Sequence, residues 1–173
     1  DIDFDENGIC NHCQKYEEEV NKRVFVGKEA TKNLISIIEK IKSSGKKKKY
    51  DCIIGLSGGV DSSYVAHIVK ENGLNPLAIH FDNGWNSELA VNNIENIIDK
   101  LNIDLYTYVI NWREFKEMQK AFFKADVPDV EVLTDHAIGA ILFREAKKRN
   151  IKYIISGSNY ASESSLPSKW SYG

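Results

Sequence analysis

The sequence predicts an α/β fold: a doubly wound, mostly parallel sheet with helices on both faces. Three observations carry that expectation. Short apolar runs alternate with amphipathic helical stretches along the chain, the pattern of successive βα units. Polar, glycine-containing clusters at 57–63, 82–87, 111–114 and 156–163 fall at the carboxyl ends of the expected strands, where such sheets bind ligands. The length of 173 residues suits one domain with a sizeable core.

The elements follow in order. Residues 1–27 are polar and read as irregular, with a short helix opening near 16–20. Across 28–42, Ala30, Leu34, Ile37, Ile38 and Ile41 recur at helical spacing and Gly45 follows as a stop. An apolar strand over 50–56 runs into Ser57-Gly58-Gly59. A helix over 61–71 buries Val65, Ile68 and Val69, and Gly73 ends it. The second strand spans 76–81. A helix over 88–101 turns Ala90, Val91, Ile94, Ile97, Ile98 and Leu101 to the core. The third strand spans 105–110, and an aromatic-rich helix spans 112–123. An acidic turn at 126–129 comes next. Thr134 reads as the cap of a helix to 149, with Ala137, Ile138, Ile141, Leu142 and Ala146 as its apolar set. A fourth strand over 152–155 ends at Gly157-Ser158-Asn159. No internal repeat is evident. The expected division is an irregular segment 1–27 and one α/β domain over 28–173. The polar end of the chain lacks a closing strand or helix, which suggests a fragment of a longer enzyme.

The composition, 42% hydrophobic and 28% charged with 3 prolines, excludes disordered and low-complexity classes. No apolar run approaches the roughly 18 residues of a membrane span. The first residues lack the basic and apolar parts of a signal peptide, so the expected location is cytoplasmic and no membrane is expected as a partner. A formal charge of −2 argues against a polyanion-binding surface over the whole domain. The lysine run at 46–49 is the local exception, either a solvated linker or a contact for an anionic partner. Among the 3 cysteines, Cys52 lies in an apolar run and reads as a small buried hydrophobe. Cys10 and Cys13 flank His12 in a CxxC. That motif leaves three readings open: half of a structural Zn²⁺ site, a redox pair, or a turn without function.

The run Ser57-Gly58-Gly59-Val60-Asp61-Ser62-Ser63 is the most informative feature. Two glycines without Cβ let backbone N–H groups converge on an anion. The following helix adds the favourable end of its dipole, and Ser57, Ser62 and Ser63 add hydroxyls. Asp61 would repel bare phosphate, so it makes sense with Mg²⁺ between them. The lysine and spacing of Walker A are absent, as is the GxGxxG of dinucleotide folds.

The loop resembles the SGGxDS signature of the PP-loop ATP pyrophosphatases, the adenine nucleotide alpha-hydrolase-like fold. That superfamily includes GMP, NAD and asparagine synthetases and tRNA-thiolating or lysidine-forming enzymes. The resemblance covers roughly residues 50–160. It implies a Rossmann-like core with sheet order 3-2-1-4-5, and cleavage of ATP between its α and β phosphates. A substrate oxygen is adenylated, and nitrogen or sulfur then displaces AMP. On this pattern Ser57, Gly58, Gly59, Asp61, Ser62 and Ser63 hold pyrophosphate and Mg²⁺. His80, Phe81 and Asp82, with Asn83, meet adenine, and Gly157, Ser158 and Asn159 lie beside the loop. Asp61, Ser57 and Asp135 are the candidate catalytic residues.

A closer resemblance is to the N-acetyl sugar amidotransferases of surface-polysaccharide and flagellar-glycan synthesis. Gly8 to Cys13, Leu56 to Ser63, Phe81 to Asn86, Thr134-Asp135-His136 and Leu166 to Trp170 carry it. It implies adenylation of the N-acetyl oxygen of a nucleotide-linked acetamido sugar, with ammonia displacing AMP to leave an acetamidino group. It also implies a glutaminase subunit and a cyclase-like channel partner; the weakly acidic balance sets nucleic acid aside, and the alternatives are a tRNA-modifying PP-loop enzyme or a nucleotide-binding module without catalysis. Asp135 is then open between helix cap, Mg²⁺ ligand and proton acceptor, and His136 between the active site and packing. Trp85 is open between sheltering a ligand and the core. Asn159 and Glu163 are candidate substrate contacts, and Trp170 a member of a substrate loop.

Overall fold

The computed structural model describes residues 2–127 and 129–158. Its elements are α1 (Asn11–Arg23), α2 (Gly27–Gly45), β1 (Cys52–Gly55), α3 (Val60–Glu71), β2 (Pro76–Asp82), α4 (Glu88–Leu101), β3 (Asp104–Val109), α5 (Trp112–Lys124), α6 (Val132–Lys148) and β4 (Ile154–Ile155). The described residues fall into two compact units, one of residues 38–157 and one that holds residues 2–37.

In the larger unit the strands form a four-stranded sheet in the order β3-β2-β1-β4. All three pairings are parallel, with Ile53 beside Leu77 and Ile154, and Leu77 beside Asp104. This is the expected strand order. Alternate residues of β1 point to opposite faces. Cys52, Ile54 and Leu56 join Ile38, Ile41, Ala66, Val69, Ala78 and Ile94 in the core beside α3 and α4. Ile53 joins Leu77, Ile79, Ile141, Ala146 and Ile151 in the core beside α6. A strand covered on both faces needs a continuous apolar run, and Ile53 and Ile54 are both wholly buried. Each such side chain contributes roughly 1.5–3 kcal/mol. Burial also pushes the Cys52 thiol up to about 12, so it serves as a small apolar residue.

The helix boundaries have local causes. Ser87 caps α4 by accepting a bond from the Ala90 N–H at 3.2 Å, and Asn102 ends it in the left-handed region at φ 49°. The α6 start departs from expectation. Glu131 is its cap residue, without a side-chain capping bond, so Thr134 and Asp135 both lie inside the helix rather than capping it. Thr134 is buried there at 8% exposure.

In the smaller unit a hairpin-like turn precedes α1. Asp5 Oδ1 accepts the N–H groups of Asn7 and Ile9, each at 2.9 Å, and Phe4 pairs with Cys10 across the turn. About half of the segment expected to be irregular is thus helical, with α1 capped by the Cys10 sulfur. Of the stripe expected on α2, Ile38 and Ile41 are buried, while Leu34 and Ile37 are 40% and 51% exposed. Among the described residues no helix is long and apolar enough to cross a membrane.

Candidate active site

The loop between β1 and α3 is shaped by two close approaches. Gly58 has φ +78°, and a Cβ there would lie 2.3 Å from the Ala90 carbonyl oxygen. The Asn93 amide donates to the Gly58 carbonyl at 3.0 Å, so α4 grips the loop from outside. A Cβ on Gly157 would lie 3.1 Å from the Asp61 carbonyl carbon and 3.2 Å from the Ser62 nitrogen. The chain leaving β4 therefore runs against the first turn of α3.

The loop's own hydroxyls stitch it together. Ser62 Oγ accepts the Ser57 N–H at 3.2 Å and donates to the Gly59 carbonyl at 3.1 Å. Ser57 Oγ lies 3.1 Å from Ser62 Oγ and accepts the Gly59 N–H at 3.4 Å. Ser63 Oγ donates to the same Gly59 carbonyl at 2.6 Å. The first intrahelical bond of α3 runs from Ser63 N to Gly59 O. The N–H groups of Val60, Asp61 and Ser62 precede it, and Gly59 has no side chain to cap them. Such donors at a helix start have the geometry and dipole that attract an anion.

Beside the loop, between the carboxyl ends of β1 and β2 and helix α6, lies a cavity of about 240 Å³. Its lining combines Leu56, Ser57, Ile79, His80, Phe81 and Asn83 with Asn86, Thr134, Ile138, Ile141 and Leu142. Phe81 is stacked on Tyr108 at 6.1 Å and 7°, and the Arg144 guanidinium lies 4.8 Å over the Tyr108 ring. His80 is 8% exposed, and its Nδ1 meets the Leu56 carbonyl oxygen at 3.0 Å. That contact ties β2 to the residue that enters the loop.

The structure thus brings the loop residues, His80, Phe81 and Gly157 to one end of the sheet. Asp82 is at that end too, but its Oδ1 accepts from the Gly84 N–H and the Asn86 amide, holding the turn after β2. Asp61 is exposed in the first turn of α3. Asp135 is exposed in the first turn of α6, outside the cavity lining. His136 is also exposed, its Nδ1 turned to the Val132 carbonyl at 2.8 Å. The core reading of Trp85 fails, because it is 65% exposed, edge-on to Trp112 at 6.0 Å. Ser158 is exposed. Asn159, Glu163 and the tail through Trp170 lie outside the described residues.

Two groups were not expected at the site. Thr134, Ile138 and Leu142 line the cavity, although Ile138 and Leu142 carry the periodicity of ordinary core positions. Asn93 acts on a residue 35 positions away, which no local pattern reveals.

The CxxC lies apart in sequence, at the start of α1. Cys10 Sγ accepts the Cys13 N–H and sits 3.4 Å from Cys13 Sγ. The Cys13 N–H, followed by the Cys13 side chain, holds the Cys10 thiol below its ordinary value. Zinc needs four ligands, and among the described residues no group of three or more His, Cys, Asp or Glu side chains converges. The described residues do not form a zinc site.

Comparison with known proteins agrees with this geometry. Residues 29–168 match the NAD synthase family model. A structure of the NH3-dependent NAD synthetase of Campylobacter jejuni superposes with a TM-score of 0.54 at 23% identity, over 75% of this chain and 55% of that one. An uncharacterized protein of Methanocaldococcus jannaschii is 28% identical over 90% of this chain and 53% of its own. The tRNA-specific 2-thiouridylase of Staphylococcus saprophyticus is 30% identical over 61% of this chain and 32% of its own. The chain therefore spans about half the length of the archaeal relative and a third of the thiouridylase. The tRNA-specific relative overturns the expectation of sugar, glutaminase and channel partners with nucleic acid set aside. The sheet order and the superposition are those of the PP-loop, adenine nucleotide alpha-hydrolase-like core. With the family model covering most of its length, the chain belongs to the NAD synthase family.

Proposed function

We infer that this protein uses ATP to adenylate a carbonyl oxygen, and that the oxygen belongs to a base in tRNA. The observation that carries the ATP reading is the junction of two unlike surfaces at one strand end. Uncapped N–H donors at the start of α3 suit phosphates. The adjoining cavity, apolar through Ile79, Phe81, Ile138 and Leu142 with Asn83 at hand, suits a purine. The tRNA reading is supported by the thiouridylase relative and by the tRNA-modifying members of the superfamily that the loop resembles.

In this reading the base oxygen attacks the α-phosphorus and the bond to the β-phosphate breaks. Pyrophosphate leaves against the Val60, Asp61 and Ser62 N–H groups, which face it without reorganisation. A sulfur or nitrogen nucleophile then displaces AMP. The residues present fit Mg²⁺ as PP-loop chemistry uses it: one or two carboxylates suffice where nucleotide oxygens complete the shell, and the exposure of Asp61 in the first turn of α3 supports it as that carboxylate. When bound, the ion would neutralise phosphate charge. His80 holds the loop entry through the Leu56 carbonyl.

The test is release of AMP and pyrophosphate from ATP with unfractionated tRNA, compared with reactions lacking it. Release dependent on tRNA is expected. Release with an acetamido sugar and ammonium, and none with tRNA, would overturn the substrate assignment. Failure to bind ATP would overturn the activation chemistry.

A further inference from the structure

We propose that the amino-terminal edge of the sheet, opposite the ATP loop, is a docking surface for the phosphate backbone of RNA. The proposal rests on the tRNA reading and adds to it the place where the nucleic acid is held.

Two basic stretches far apart in sequence meet at this edge. The lysine run at 46–49 lies between α2 and β1, and residues 147–152 lie between the end of α6 and β4. Parallel pairing of β1 with β4 makes the two entry points neighbours. The Lys48 ammonium donates to the Asn150 carbonyl, and the Ile53 N–H donates to the Tyr153 carbonyl at 2.9 Å. With Lys147, Lys148, Arg149 and Lys152, this edge holds eight of the chain's 23 lysines and arginines. No acidic residue occurs within 46–50 or 146–152.

Two bordering carboxylates each neutralise one of these eight cations, and a third is held by a backbone N–H. Asp104 takes Lys49 at 2.9 Å. Glu145 is 1% exposed and takes Arg149 at 3.2 Å. Asp51 Oδ2 accepts the Asn75 N–H at 2.8 Å. Lys46, Lys47, Lys147, Lys148 and Lys152 all remain exposed. In a chain of net charge −2, this is a local reversal of sign, which lysine clusters use to attract polyanions.

Charge complementarity selects the occupant. Tyr50 and Ile151, the apolar residues within the two stretches, are 8% and 7% exposed. The edge therefore presents cations without the exposed apolar anchor that an interfacial membrane site uses. A chain of phosphates matches lysines spread over two segments, because each neutralises one charge and releases one counterion. The edge lies eight residues before Ser57, about 25 Å away at roughly 3.3 Å per extended residue. An RNA arm held here would have to span that length to deliver a base to the cavity.

The experiment measures binding of fluorescent unfractionated tRNA across a KCl titration, with ATP binding as a control. It compares the protein with its Lys46→Gln/Lys47→Gln/Lys147→Gln/Lys148→Gln variant. Expected are binding at least about 10-fold weaker near 100 mM salt and a log–log salt slope smaller by about 3, with ATP binding unchanged. Single Lys46→Gln and Lys147→Gln variants, each expected to lower the slope by about 1, decide the matter should the fourfold variant fold poorly. Equal affinity and slope in all variants would overturn the docking surface and leave the tRNA reading standing. Absence of tRNA binding by the unaltered protein would overturn both, as would lysine-dependent binding only to phosphatidylserine vesicles or polyglutamate.

Discussion

The two ends of β1 carry polar groups in opposite conditions. At its amino end they satisfy one another. The Tyr50 hydroxyl donates to Asp104 at 2.6 Å, Lys49 pairs with the same carboxylate, and the Asn75 amide donates to the Lys49 carbonyl at 2.6 Å. At its carboxyl end the serines bond within the loop, and Gly59 offers the first N–H groups of α3 no side-chain cap. A closed network marks scaffold, while leftover donors converging beside a cavity mark a place made for something else. The lysines around the amino-end network extend this contrast, since their charge faces outward from a saturated base.

The sharpest way to break the comparison is Gly58→Ala. The left-handed φ and the Ala90 carbonyl both oppose a methyl group, so ATP affinity should fall about 100-fold or more and stability by about 2 kcal/mol. Calorimetry showing normal ATP binding would mean that the loop's shape is not what the ligand needs. Next in size is Asp61→Ala, expected to slow pyrophosphate release about 100-fold while leaving the melting temperature near that of the parent. Unchanged release with Mg²⁺ present would remove Asp61 from the site.

At the opposite end the pattern should invert. Tyr50→Phe removes one hydrogen bond and should cost about 1 kcal/mol in urea unfolding, with no change in ATP binding. The smallest effect concerns acid. The Tyr50 hydroxyl, followed by Lys49, holds the Asp104 carboxyl below the usual carboxylate value. The folded chain therefore binds fewer protons at this site than the unfolded chain. The resulting stability is present above the unfolded value of about 3.9 and is lost as pH falls through the lower folded value. Between pH 6 and pH 3 the urea midpoint of the parent should fall slightly more than that of Asp104→Asn. Identical acid profiles would show that Asp104 is not linked to folding.

Much of the architecture was legible because its causes are local. Ser87 and Asn102 bracket α4 at the residues where the apolar period begins and ends, and the Ser57–Ser63 spacing announces the tight turn from β1 into α3. What was not legible depends on distant or weak signals. Helix α1 lacks an apolar stripe and is started by a cysteine sulfur, so a polar segment concealed a helix of 13 residues. Thr134 followed the capping rule in sequence, yet α6 begins at Val132, and the cavity wall takes Thr134 inside. The carbonyl that forces glycine at 58 belongs to a helix whose sequence says nothing about it.

That contact between Gly58 and the Ala90 backbone has a genetic consequence. The obstruction is a carbonyl oxygen, which every amino acid carries, so no replacement at 90 makes room for a side chain at 58. Compensation by a single partner substitution is closed to this pair. A suppressor of Gly58→Ala would have to shift α4 as a body, and should therefore map to the packing of Ile94 and its neighbours rather than to the residue in contact.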